Sequence, residues 1–408
     1  MDFNDSPEQA KFRLEVQNWL SKNAELKPVG EMLDQRTPEE TYDAAKVWYK
    51  KKFDAGYACI TWPKEDGGAG LSSLENVIWS EEVAKYDEPD FFFVIGQGNC
   101  GPAIQAFSSP EEKKKLLPRM ASAEDVWCQL FSEPSAGSDV AGLRTKAIKE
   151  GNNWTINGQK IWTSGAHYSD YGVILTRTDP SVSKYKGMTM FMIDMHQSGV
   201  EVRPIKQMNG DGNFNEVFFN DAIIPDRYRL GEVGGGWGAA LNILMNERLA
   251  IMGIAPNGFQ EFRQFCETAS IDGKPLIEDS LVRDKLAEWY AKDAGLRNAN
   301  ARMLTAVAKG GVPGAEASLG KLVGASMHQD IANFTLSLMG QGGVVADIGL
   351  ADMKAHFQKA VMLSPGLRLA GGTDEVMRNI LAEQVLGLPQ EPRADKGIPF
   401  SDIPTGNS

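Results

Sequence analysis

Between residues 11 and 20 the apolar positions Phe12, Leu14, Val16, Trp19 and Leu20 recur in a mixed, roughly helical spacing, and Thr41–Phe53 continues it. Thr37-Pro-Glu-Glu has the makings of a helix start, with a hydroxyl to cap free N–H groups, Pro at the first position and acids in the first turn. Ser109-Pro-Glu-Glu, ahead of Lys113–Leu117, repeats the device. From about residue 123 the apolar residues fall into short β-prone runs instead. Trp154-Thr-Ile-Asn-Gly-Gln-Lys-Ile-Trp sets Asn157-Gly158 between two such runs and predicts a hairpin there. Tyr171–Arg177, Met188–Asp194, Val200–Ile205 and Glu216–Phe219 read as further strands, punctuated by Gly, Asp and Pro. After about 232 the helical spacing returns over Trp237–Gly253, Gly258–Thr268, Ser280–Ala308, Ala315–Met339 and Glu375–Leu386.

The order helices, strands, helices predicts an α+β chain. An all-α domain spans 1–122, a central β-barrel or sandwich 123–232, and a C-terminal four-helix bundle 233–388. Several Pro and Gly residues and no periodicity mark 389–408 as a tail, loose or held by a partner.

The 408 residues are enough for two or three domains. Lys and Arg number 42 against 54 Asp and Glu, a net charge of −12, and the pI is near 5.0. That balance argues against broad binding to nucleic acid or an anionic membrane, both of which need a surplus of cations. No run reaches the eighteen or so apolar residues that span a bilayer. The acidic start lacks a basic leader, and Cys59, Cys100, Cys128 and Cys266 are widely spaced with no CxxC, which together predict a reduced, cytoplasmic protein. Gly231–Gly238 follows no βαβ strand and reads as a flexible turn before a helix, not a nicotinamide loop. His167, His196, His328 and His356 are scattered, and neither HExxH, a Walker loop nor GxSxG is present.

Four ordered motifs carry a resemblance. Trp62-Pro-Lys-Glu-Asp-Gly-Gly-Ala-Gly, Phe131-Ser-Glu-Pro-Ser-Ala-Gly-Ser-Asp-Val-Ala-Gly, Asn157-Gly-Gln-Lys-Ile-Trp-Thr-Ser and Gly371-Gly-Thr-Asp-Glu-Val-Met-Arg resemble the signature of the acyl-CoA dehydrogenase family over nearly the whole chain. The resemblance implies FAD between the β-domain and the C-terminal helices, an acyl-CoA substrate, electron-transfer flavoprotein as acceptor, and a homotetramer or heterotetramer. By it, Gln129, Phe131 and Ser132 meet the isoalloxazine, Trp162 covers it and Ser164 sits beside N5. Ser138 touches pyrophosphate and the thioester ligand, Thr373 and Glu375 contact FAD, and Arg248 approaches the CoA adenine end. A flavin ring does need polar groups along one edge and an apolar wall against its face.

The implied reaction removes a weakly acidic α-proton, so it needs a carboxylate in apolar surroundings and donors to the thioester oxygen. Many family members place that glutamate immediately before the Gly-Thr of the late motif, where this chain has Gly371, whose backbone N–H can still donate to the thioester oxygen. A second family arrangement puts the glutamate just before an arginine on the first long helix after the β-domain, and Asn246-Glu247-Arg248-Leu249 matches it. Ile243, Leu244, Ala250 and Ile251 lie three or four residues from Glu247 and give it an apolar helix face. The helix alone favours an ion pair from Glu247 to an arginine such as Arg248 or Arg302; the vacancy at Gly371 makes Glu247 the expected base.

The stretch Ala269–Leu276 lacks the arginine that relatives send to a neighbour's FAD phosphates, leaving Lys274 or another subunit to replace it. The vacated loop suggests a branched, long or bulky acyl group; the altered phosphate contacts and Gly-Gly-Thr also resemble relatives that oxidise CoA thioesters of degraded steroid side chains. Two other readings are a non-catalytic partner subunit and a flavin monooxygenase or nitroalkane-oxidase-like relative.

Overall fold

Ser6 closes the first turn of α1 (Pro7–Asn23) by a reciprocal pair of bonds: Gln9 N–H donates to its hydroxyl, and its own N–H donates to Gln9 Oε1. The structure, a computed structural model, describes residues 5–26, 38–89, 91–254, 258–271, 273–308 and 314–404. The expected cap at Thr37 lies outside the described residues, although α2 (Pro38–Asp54) follows it directly. Helices α3 (Ser73–Val83), α4 (Phe91–Val94), α5 (Gly101–Phe107) and α6 (Pro110–Ala121) complete the first helical run. Ser109 caps α6 as its sequence predicts, accepting from Glu112 N–H at 3.4 Å.

Eight strands follow: β1 (Trp127–Leu130), β2 (Lys146–Glu150), β3 (Asn153–Ser164), β4 (Tyr171–Arg177), β5 (Met188–Asp194), β6 (Val200–Ile205), β7 (Phe214–Pro225) and β8 (Arg229–Leu230). Then come α7 (Gly236–Ile254), α8 (Phe259–Thr268), α9 (Ser280–Ala308), α10 (Ser318–Met339), α11 (His356–Leu369) and α12 (Asp374–Ile380). The predicted fold class, helical regions on either side of a central sheet, is what the chain adopts. No described helix is long and apolar enough to cross a membrane.

The strands join in the order β6-β7-β3-β2-β4-β5-β8, with β1 added to β4 in parallel. Runs β4 and β5 are almost wholly buried, which is why they read as continuous apolar stretches. The hairpin expected at Asn157-Gly158 is not there. The turn between β2 and β3 falls at Gly151-Asn152, with Glu150 opposite Asn153, and β3 runs unbroken through Asn157-Gly158. Gly158 instead marks an irregularity against β7, where a Cβ would lie 2.5 Å from the Thr145 hydroxyl. The dipeptide signal was for positive φ, and a bulge uses that as readily as a turn does.

The described residues form two compact units. One holds those of Pro38–Trp79, Glu88–Glu247 and Glu391–Ser408, and the other those of Met1–Thr37, Ser80–Asp87 and Arg248–Gln390. In the first unit residues 400–403 of the tail are held against the β4–β5 connection and Arg177. Phe400 N–H donates to Val182 O at 2.8 Å, Ser401 N–H to Pro180 O at 2.9 Å, and the Phe400 ring lies 3.9 Å from the Arg177 guanidinium. One aromatic residue under a cation anchors a segment that has no periodicity of its own.

In the second unit Phe259, Phe262, Phe265, Trp289, Met327 and Phe357 form the core among α8, α9, α10 and α11. His328 and His356 are set into it, and His328 Nδ1 and His356 Nε2 are buried with no hydrogen-bond partner among the described residues. Burial lowers both, His356 from its ordinary 6.5 to about 4. The unfolded chain therefore binds the extra proton first, and stability present above pH 6.5 is lost as pH falls toward 4, by up to about 3 kcal/mol for His356. Melting temperature against pH should fall less steeply across that window in His356→Phe; equal slopes in the two proteins would refute this.

Candidate active site

The peptide that leaves β1 is fixed to β3 by a buried cation. Lys160 is 0% exposed, and its Nζ donates to Phe131 O at 3.0 Å and to Glu133 Oε1 at 2.8 Å. Glu133 also accepts from the backbone N–H groups of Arg144 (2.6 Å) and Thr145 (2.9 Å), while Ile161 N–H donates to Ser132 O at 2.9 Å. Burial pushes the Glu133 carboxyl up, but the Lys160 ammonium and these donors outweigh it and hold it below the usual range. Residues 131–133 are thereby rigid beside the strand that carries Trp162. The sequence reading missed this pair; the signal was a lysine at even spacing from Trp154 and Ile156, both buried.

The register of β3 against β7 shifts between Lys160 and Thr163, and Trp162 takes φ +60° within that bulge. The residue is 55% exposed, and its ring meets Phe214 edge-on with the centroids 6.0 Å apart. A large apolar ring kept at a surface by strained backbone marks a site. Ser164, two residues on, is half-buried and borders a small recess lined also by Phe91, Phe92, Ile95 and Trp127. Ser132 is half-buried as well, and Ser138 is exposed; its neighbour Asp139 is held by Lys184 Nζ at 2.9 Å.

These residues fit the flavin ring. A flat exposed indole offers an apolar face, while the half-buried hydroxyls of Ser132 and Ser164 and the rigid backbone of 131–132 offer polar groups for an edge. Lys274, in a short two-stranded ribbon with Ser270–Ile271, is exposed, and Asp272 lies outside the described residues.

Glu247 stands on α7, with Ile243 fully buried one turn before it and Leu244 half-buried. Its own side chain is half-buried, and Gln129 Nε2, from β1, donates to its Oε2 at 3.3 Å. The structure thus brings together two residues 118 positions apart that the sequence reading had placed separately, one at the flavin and one at the substrate. The side chains of Arg248, Ala250 and Ile251 lie outside the described residues. Upstream, Gly231–Gly235 form the expected turn, with Gly231 and Gly234 at positive φ, and α7 begins at Gly236.

The late motif belongs to the other unit. Gly371 has φ +65°, a conformation in which a glutamate side chain would be strained, so the backbone as well as the sequence departs from a loop-borne base. Lys321 Nζ clamps this loop through Gly372 O and, at 2.8 Å, Arg368 O, while Arg368 Nε donates to Asp374 at 2.7 Å. Thr373 caps α12, its hydroxyl accepting from Val376 N–H at 3.2 Å. Glu375 is exposed in the first turn, where a backbone N–H and the Thr373 hydroxyl hold its carboxyl below the usual range. Lys321 and Arg368 were not singled out from the sequence, since only the folded loop brings them to it. Among the described residues no His, Cys, Asp and Glu group could hold a metal, and the four cysteines are free.

Comparison with known proteins gives the family. Models of the acyl-CoA dehydrogenase N-terminal, middle and C-terminal domains match residues 6–124, 128–222 and 234–386. The acyl-CoA dehydrogenase IpdE1 of Mycobacterium tuberculosis is 34% identical over 393 residues, covering 93% of this chain and 98% of that protein. The solved ChsE4-ChsE5 complex from Mycobacterium tuberculosis is 27% identical with a TM-score of 0.79, covering 96% of this chain and 100% of that one. A structure described as the Tcur3481-Tcur3483 steroid ACAD is 26% identical, also at 0.79, with the same coverage. Matched from residue 6 to residue 386, the chain belongs to the acyl-CoA dehydrogenase family, oxidoreductases that act on acyl-CoA with FAD as cofactor.

Proposed function

We propose that the chain converts a saturated acyl-CoA thioester to its trans-2-enoyl-CoA, with Glu247 as the base. The observation that carries this is the Glu247 carboxylate, half-buried on α7 and bonded to Gln129 of the strand that leads into Phe131 and Ser132. Bound FAD supplies the acceptor for the hydride that leaves C3. Glu247 takes the proton from C2, and the backbone N–H of Gly371 donates to the thioester oxygen where negative charge collects. Phe131, Ser132, Trp162 and Ser164 hold the ring and keep water from it, with the Gln129 backbone beside them. Ser138 serves the pyrophosphate and the thioester ligand, Thr373 and Glu375 reach FAD, and Arg248 faces the CoA adenine end.

Two features favour a branched or bulky acyl group: Gly371 where relatives carry a glutamate, with Gly372 beside it, and a solved neighbour described as a steroid ACAD. Electrons pass on to an electron-transfer flavoprotein. The chain works as a tetramer; a heteromeric one is favoured by the neighbour solved as a two-component complex and by the missing arginine in Ala269–Leu276.

The purified protein should be yellow and bleach anaerobically with CoA esters. 2-Methylpropanoyl-CoA and cyclohexane-1-carbonyl-CoA should reduce it faster than butanoyl-CoA. A strong preference for butanoyl-CoA would end the bulky-substrate reading. A colourless preparation that takes up no FAD, alone or with its partner, would end the catalytic one.

A further inference from the structure

We infer that Asn99, buried behind β1, is a positioning residue for the base and acts on it through Gln129. This rests on the assignment of Glu247 made above. Helices α4 and α5 are joined by one π-helical turn over Ile95–Cys100, a departure from α geometry that re-aims side chains and recurs at functional sites. Two close approaches seat this segment. A Cβ on Gly96 would lie 3.1 Å from Trp127 Cβ, and one on Gly101 would lie 2.1 Å from the Trp62 ring. So seated, the π-turn carries Asn99, only 6% exposed, to β1, where its Nδ2 donates to Gln129 Oε1 at 2.9 Å. Gln129 Nε2 then donates to Glu247 Oε2 at 3.3 Å.

The order of donors and acceptors gives this chain a direction. Gln129 has one carbonyl and one NH2 group, and Asn99 occupies the carbonyl. Flipping the Gln129 amide would set NH2 against NH2 at one end and carbonyl against carboxylate at the other, leaving part-buried polar groups unpaired. Asn99 thus supports the orientation in which Gln129 presents a donor to the carboxylate and holds Oε2. A base displaced by about 1 Å from its substrate proton can lose on the order of 10²-fold in rate.

The test uses the FAD-loaded protein, with anaerobic bleaching by 2-methylpropanoyl-CoA, octanoyl-CoA and cyclohexane-1-carbonyl-CoA, and crystal structures that do not depend on turnover. Asn99→Leu removes the donor; Asn99→Asp removes it isosterically should the leucine variant not fold. Each should slow bleaching on the order of 10- to 100-fold with KM within about threefold and FAD content unchanged, a loss confined to the chemical step. In the crystal the Glu247 carboxylate should have left Gln129. In a Glu247→Gln background Asn99→Leu should add no further slowing, since both act on one group. Bleaching within about twofold of wild type, with Glu247 still in place, would overturn the positioning role and leave the base assignment standing. Equal slowing by Asn99→Leu with and without Glu247 would overturn it too. If Glu247→Gln alone bleaches at the wild-type rate, the base assignment falls and this inference with it.

Discussion

Replacing Glu247 with glutamine should slow flavin reduction by an acyl-CoA on the order of 10²–10⁴-fold or more, because the group that accepts the C2 proton is gone while its shape remains. Glutamine keeps an oxygen that can accept from Gln129 Nε2, so the helix and its contact with β1 survive. FAD content and melting temperature should stay near those of the wild type, and substrate affinity should change little. The measurement is anaerobic single-turnover bleaching. Wild-type rates in the glutamine variant would remove Glu247 from the mechanism and favour the reading in which this chain supports a catalytic partner. Gly371 makes the reciprocal case: moving a glutamate there would not restore activity simply, since that position has φ +65°.

Replacing Lys160 with methionine should destabilise the β-containing unit by about 3–5 kcal/mol, the usual cost of breaking a buried ion pair from one side. Glu133 would keep its two backbone donors but lose the ammonium 2.8 Å away, in a place where its side chain is 5% exposed. Burial lowers the Lys160 pKa, which Glu133 only partly offsets, so the cation depends on its partner just as much. The double variant Lys160→Met with Glu133→Gln should recover part of the loss, because no uncompensated charge is left inside. Denaturant unfolding of the three proteins decides the matter. A single variant within 1 kcal/mol of wild type, or a double variant worse than the single, would contradict it. Since Lys160 also holds Phe131 O, the single variant should bind FAD more weakly as well.

Helical and strand periods recovered the succession of elements well, because apolar spacing reports which face each element buries. The Ser109 cap and strands β4 and β5 were legible for that reason. Asn157-Gly158 misled because positive φ serves bulges and turns alike. Residues 400–403 misled because they are held by one ring beneath Arg177 and two backbone bonds, contacts with no periodic trace.

The amino-acid sequence alone settled the family, the helix–strand–helix order and the absence of a carboxylate at position 371, since each of these is written in residue identity and local spacing. Tertiary structure decided what Glu247 touches, how Lys160 locks the turn after β1, and that a π-turn delivers Asn99 to Gln129. Those contacts join residues tens to more than a hundred positions apart, and a buried hydrogen bond or ion pair exists only once packing has removed water from both partners.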